Sequence, residues 1–302
     1  MEVYYKDKYS TLYCGDCYDI MSSLAQESVD VIVTSPPYNL NIKYSQYKDN
    51  KPRNEYLEWI RKIFEQFNRI LSKDGSIFLN MGNSSRDPWI DIDVSLVARD
   101  FFDIQNRIIW VKSISLDYRT ESSYGHFTPL SGDTYLNKTN ELIFHFVKNK
   151  VKIDRLADGV VYSHPSNFTR WKDKKEKGIS DKERMTRCRG NSWFIDYPTR
   201  KKKDKCGHPA IFPLQVPLQC IKLHGIEKKP VVLDPFVGIG TTSLAAKILG
   251  LNSIGIDIDI SYLNCAKTKL QSYKNEQWDN YELPEINKKD YIDEVKKKHR
   301  IE

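Results

Sequence analysis

Residues 231–257 read VVLDPFVGIGTTSLAAKILGLNSIGID, and the alternation inside that stretch sets the fold class. VVLD (231–234) is short, apolar and β-branched, FVGIG (236–240) is a glycine loop, TTSLAAKILG (241–250) is a helix-forming run, and NSIGID (252–257) is apolar again. A strand, a tight loop, a helix and a second strand make a βαβ unit, the building block of a parallel α/β sheet. Gly238 and Gly240 allow the backbone to turn sharply and approach a ligand at the carboxyl end of the first strand.

The same stretch constrains the ligand. Asp257 ends the second strand, where a carboxylate can accept hydrogen bonds from ribose hydroxyls. A dinucleotide fingerprint needs a third glycine where Ser243 stands, so a pyrophosphate is poorly supported. Asp234, just before the loop, would repel a diphosphate and attract an ammonium. An adenosyl ligand carrying an amino-acid moiety fits, which points to S-adenosylmethionine; the simpler alternative is a glycine turn that only helps a helix pack.

Outward from this unit, VDVIV (29–33) reads as a buried parallel strand leaving into TSPPYNL (34–40). EYLEWIRKIFEQFNRILSKDG (55–75) places Leu57, Ile60, Phe64, Phe67 and Leu71 at spacings of three and four, which predicts an amphipathic helix ending at Asp74-Gly75. GSIFLNMGN (75–83), IQNRIIWVK and ELIFHFVK read as strands, with a helix around 91–101 between the first two. HPAIFPLQVPLQCIKLHG (208–225) reads as a proline-marked turn entering a helix.

Between about 148 and 205 the periodicity disappears and charge takes over. Residues 169–205 carry fourteen Lys or Arg against six Asp or Glu, a local excess of eight, whereas the whole chain carries a net +7. Such a patch is the footprint of a surface that neutralises phosphates, with a merely solvated face as the alternative. Six scattered cysteines in 302 residues make no disulfide framework, and reduced thiols are expected. Cys14 and Cys17 have no second pair or histidine to complete a zinc set, so no metal is expected. The sequence has no stretch of the roughly 18 apolar residues that a membrane span requires, and the N-terminus has no apolar signal region. A cytoplasmic protein is expected.

Two motifs together carry a family resemblance. TSPPY resembles the catalytic motif of amino-methyltransferases, and DPFVGIGTT resembles their S-adenosylmethionine loop. With the catalytic motif first and the cofactor loop last, the chain is similar to the β class of DNA amino-methyltransferases of the restriction-modification type. The resemblance covers roughly residues 11–145 and 190–270. It implies a Rossmann-like methyltransferase fold, circularly permuted, with an inserted basic target-recognition region. The expected division is a catalytic half over 1–147, the recognition region over 148–205, a cofactor half over 206–283 and a charged tail over 284–302.

It also assigns residues. Ser35, Pro36, Pro37 and Tyr38 form the catalytic loop. Asp16, from the Gly15-Asp16 pair, lies near the cofactor with Asp234, Phe236, Gly238, Gly240, Thr241, Thr242 and Asp257, while His208 and Pro209 of HPAIFP flank the methionine moiety. Arg170, Arg184, Arg187, Arg189, Lys201, Lys202 and Lys203 are expected on phosphates or guanine edges of double-stranded DNA. Trp193 and Phe194 are expected in the core or a pocket wall, and His126 and His145 in structural roles. A cognate endonuclease and a homodimer are the partners such a class implies.

The motif chemistry is readable. An exocyclic amine is a weak nucleophile because its lone pair is delocalised into the ring. Acceptors on its N–H bonds, here Ser35 Oγ and the Pro36 carbonyl, localise that pair, and two prolines of fixed φ hold the loop rigid. Tyr38 offers a face on which an extruded base can stack. Ser preceded by Thr is commoner among cytosine-N4 enzymes and Asp among adenine-N6 enzymes, so cytosine is favoured and adenine remains open. RNA or protein-glutamine substrates, and a silent binding module on the same fold, are the competing readings. No Pro-Cys dipeptide occurs, so a thiol-based attack on a ring carbon is not expected.

Overall fold

The computed structural model describes residues 2–116, 122–124, 133–154, 160–161, 186–197 and 206–273. Met1–Leu270 forms one compact unit and Gln271–Glu302 a second. The strands are β1 (Tyr5–Lys6), β2 (Ser10–Cys14), β3 (Val29–Thr34), β4 (Leu71–Met81), β5 (Asp103–Val111), β6 (Ile114–Leu116), β7 (Ser122–Tyr124), β8 (Asn140–Val147), β9 (Val160–Val161), β10 (Thr186–Arg187), β11 (Ser192–Phe194), β12 (Val232–Asp234) and β13 (Ser253–Asp257). The helices are α1 (Cys17–Ser22), α2 (Arg53–Ile70), α3 (Ile90–Ala98), α4 (Gln215–His224), α5 (Thr241–Ile248) and α6 (Ile260–Ser272).

The predicted βαβ unit forms, with β12 and β13 paired in parallel and joined by α5. β13 continues in parallel to β2, and β12 to β3 and then β4. β8 enters antiparallel between β4 and β5, giving the order β1-β2-β13-β12-β3-β4-β8-β5-β11. Parallel strands share one carboxyl edge, where ligands bind in open α/β sheets. Because β8 runs the opposite way, the residues that begin it reach the same edge as those that end β3, β4, β5 and β12.

Covering both sheet faces demands nearly continuous apolar strands, and β3 and β4 supply them through the buried Val29, Val31, Ile32, Val33, Ile77, Phe78 and Leu79. Helix α2 packs on one face through Tyr56, Ile60, Ile63, Phe64, Phe67 and Ile70. The helix expected to run to Gly75 stops at Ile70, because Leu71 pairs with Val29 and opens β4 instead. Leu57 is only partly buried, and Tyr56 takes its place in the core.

His145 has the structural role expected of it. It is fully buried, stacks on Phe78 at 4.4 Å and bonds Asn106 Nδ2 and Ser76 Oγ. Burial lowers its pKa to about 3. His126 lies outside the described residues. Trp193 is buried as expected, but Phe194, its neighbour in edge strand β11, is 65% exposed. Consecutive strand residues face opposite sides, and only one side of this strand is covered.

The thiol expectation needs a correction. Cys206 and Cys265 form a disulfide with their Cα atoms 6.5 Å apart, while Cys14, Cys17, Cys188 and Cys220 are free. Sequence spacing of 59 residues could not reveal that the loop before His208 returns against α6.

Candidate active site

β3 and β12 bring the two motifs together. Thr34 and Asp234 are 200 residues apart, yet Thr34 Oγ1 donates to Asp234 Oδ1 at 2.8 Å. Asp234 also accepts from Phe236 N at 3.1 Å and, through Oδ2, from Thr242 Oγ1 at 2.6 Å. Burial raises its pKa to about 6 against the pull of these donors. Asp234 therefore works as a joint that fixes the glycine loop to the strand bearing TSPPY.

Both motifs open into one cavity of about 600 Å³. Ser35, Pro36, Pro37 and Tyr38 line it, as do Asp16, His208, Pro209, Asp234, Phe236, Gly238, Thr241 and Asp257. Gly240 and Thr242 were expected there and do not line it. Gly240 has φ 81°, and a Cβ on it would stand 2.7 Å from Ala266 Cβ, so it lets α5 approach α6. Thr242 holds Asp234. Arg170, Arg184 and Lys201–Lys203 lie outside the described residues, Arg187 sits in β10, and Arg189 lines a separate small cavity with Trp193 and Gln219.

At the glycine-loop end, Asp257 Oδ2 accepts from Gly238 N at 2.9 Å and Oδ1 from Asp259 N at 2.8 Å. Burial raises the pKa of Asp257 to about 6. Asp16 caps α1 by accepting from Tyr18 N at 2.8 Å. Gly238 has φ 49°, and a Cβ there would meet His208 Nε2 at 2.9 Å. His208 packs between Tyr262, tilted against it at 4.5 Å, and Tyr44, edge-on at 5.9 Å, and burial lowers its pKa to about 4, so the ring is neutral.

The chemistry of this end fits S-adenosylmethionine. Asp16, Asp234, Asp257 and Asp259 line it, and the cationic lining residues, Lys112 and Lys138, come from the β5 and β8 side. Asp259 Oδ2 is buried without a partner among the described residues. Four carboxylates with an open acceptor suit ribose hydroxyls and a cationic amino acid and disfavour phosphate.

The other end holds residues that the sequence reading did not single out. Tyr38 Oη is 2.8 Å from Ser35 Oγ, accepts from Asn80 Nδ2 at 2.8 Å and lies 3.3 Å from Glu141 Oε2. Asn80 Nδ2 also donates to Glu141 Oε2 at 2.7 Å, and Lys112 Nζ donates to Oε1 at 2.6 Å. Burial and the neighbouring Glu141 carboxylate push the Tyr38 phenol far above its usual range, so it is neutral. Trp110, Lys112, Lys138 and Tyr197 complete the walls. Within an apolar strand pattern, the only signal for Asn80 and Glu141 was polarity at a strand end.

Comparisons with known proteins agree with this geometry. The sequence model of the N6/N4 family, described as DNA methylase, matches residues 29–268. The type II methyltransferase M.BglII of Bacillus subtilis is 29% identical over 268 residues, covering 86% of this chain and 69% of its own. The PvuII DNA methyltransferase, described as cytosine-N4-specific, superimposes with a TM-score of 0.65 at 18% identity, over 91% of this chain and 92% of its own. A Thermus thermophilus protein solved in complex with S-adenosylmethionine gives a TM-score of 0.56 at 21% identity, over 85% of this chain and 91% of its own. With a family match spanning both motifs and the sheet that joins them, the chain belongs to the N6/N4 DNA methylase family.

Proposed function

We propose that this protein methylates the exocyclic N4 amine of cytosine in a short duplex sequence, as a modification methyltransferase of the type II kind. The observation that carries the reading is the single cavity onto which both TSPPY and the glycine loop open. Ser35 at the first motif position favours cytosine over adenine N6, and the likeness to the cytosine-N4 PvuII fold supports the same choice. The strand order, with β12 of the cofactor loop paired between β13 and β3 of the catalytic motif, supports a circularly permuted arrangement of catalytic and cofactor halves.

Bound at the glycine loop, S-adenosylmethionine supplies an electrophilic sulfonium methyl group. Gly238, Asp257, Asp259 and His208 would hold it. Ser35 Oγ and the Pro36 carbonyl accept hydrogen bonds from the amine N–H groups and direct its lone pair across the cavity. Tyr38 stacks on the extruded base, and Pro36 and Pro37 keep the acceptors in place. Positioning supplies most of the rate, so no covalent enzyme intermediate is needed. The basic segment 148–205 serves as the target-recognition region, with Arg170, Arg184, Arg187, Arg189 and Lys201–Lys203 on the DNA. A cytoplasmic location, a cognate endonuclease and a homodimer complete the reading.

The test is mass spectrometry of nucleosides from plasmid DNA incubated with the protein and deuterated-methyl S-adenosylmethionine. Label on cytosine N4 is expected. Label on adenine N6 would keep the chemistry and overturn the base, and label on neither would overturn the DNA reading.

A further inference from the structure

We propose that Glu141 is a positioning residue that sets the direction of the Asn80 amide and of the Tyr38 and Ser35 hydroxyl hydrogens at the amine-binding end of the cavity, turning the Ser35 lone pairs toward the substrate. The inference rests on the amino-methyltransferase reading but not on the choice of base. Glu141 begins β8, the antiparallel strand that returns to the catalytic edge. Its side chain is only 17% exposed.

The hydrogen count is restrictive. Lys112 Nζ satisfies one Glu141 oxygen at 2.6 Å. Asn80 has two N–H protons, and both are used, one on Glu141 Oε2 and one on Tyr38 Oη. Rotating the amide would set its oxygen against the carboxylate, so Glu141 alone excludes the flipped form. The Asn80 carbonyl oxygen is consequently left buried with no partner among the described residues.

Tyr38 Oη already accepts from Asn80, so its single proton goes to Glu141 or to Ser35. If it goes to Ser35, the serine proton has no acceptor within the cluster. If it goes to Glu141 Oε2, 3.3 Å away, Ser35 can donate to Tyr38 at 2.8 Å and one more bond is made, ending on an anion. In that arrangement Ser35 turns its proton away from the substrate and keeps its lone pairs for the amine. Gly82 permits the close approach, since a Cβ there would stand 3.1 Å from Tyr38 Cε2 and 3.2 Å from Glu141 Cδ.

The test compares Glu141→Gln, Tyr38→Phe and the double variant in single-turnover methylation of whichever base the wild-type protein labels. A wild-type protein that methylates DNA separates failure of this inference from failure of the reading beneath it. Each single variant should lower the turnover rate on the order of 10- to 100-fold, with KM for DNA and the dissociation constant for S-adenosylmethionine within about twofold, as expected of groups aligned for the transition state. The double variant should be no slower than the slower single one, because both break the same chain. Tyr38→Phe keeps the stacking ring and serves by itself if Glu141→Gln fails to fold. Unchanged turnover in Tyr38→Phe, or losses that multiply in the double variant, would overturn the proposal.

Discussion

Asp257 shows how one buried carboxylate responds to pH in two opposite directions. Its folded pKa of about 6 lies above the ordinary 3.8, and Asp234 behaves alike. The ligand-free fold therefore binds these protons more readily than the unfolded chain. Their stabilising contribution is fully present below the unfolded value and is lost as pH rises through about 6. A ribose hydroxyl donating to Asp257 favours the ionised form, so cofactor affinity should run the other way. Calorimetric titration from pH 7.5 to 5 should show the dissociation constant for S-adenosylmethionine rising by up to about tenfold per pH unit below 6. Asp257→Asn should bind weakly and without that slope, and a flat wild-type profile would remove Asp257 from the ribose. Asp257 could be chosen from the sequence because its place at the end of a strand in a βαβ unit is a local pattern. Glu141 could not, because its importance depends on which strands lie beside β8.

The loop after TSPPY depends at the level of an element on one residue. Asp49, only 2% exposed, accepts from the backbone N–H groups of Asn39, Leu40 and Ile42 at 2.7, 3.0 and 3.0 Å. Asn39 closes the same loop by exchanging hydrogen bonds with the backbone of Lys51. These bonds hold Leu40, Ile42, Tyr44 and Tyr47 against the cavity. Asp49→Ala would leave three backbone donors unpaired, a cost of roughly 1–3 kcal/mol. The variant should melt at a lower temperature and exchange amide hydrogens faster across 39–51, and unchanged protection there would refute this account. Nothing in NLNIKYSQYKDN announced the loop, since a carboxylate ten residues away becomes an acceptor only after the chain has turned back.

The charge distribution belongs to the whole molecule. An excess of eight positive charges between 169 and 205, in a chain of net +7, should make binding to DNA depend on counterion release. Replacing Lys201, Lys202 and Lys203 together with Ala should weaken DNA binding about equally for all sequences. It should also reduce the slope of log affinity against log salt by up to about 0.9 for each phosphate that is no longer neutralised; an unchanged slope would show that these lysines face solvent. The sequence by itself determined the α/β class, the two motifs, their ligand and the family, because βαβ periodicity, glycine loops and proline-stiffened exits are written in neighbouring residues. Only the tertiary structure decided which residues complete the site. The Asp234 joint, the Cys206–Cys265 link, the structural duty of Gly240 and the Glu141 cluster all join residues from separate stretches of chain. Pairings of that kind arise from strand order and from the reversed direction of β8, which no local pattern encodes.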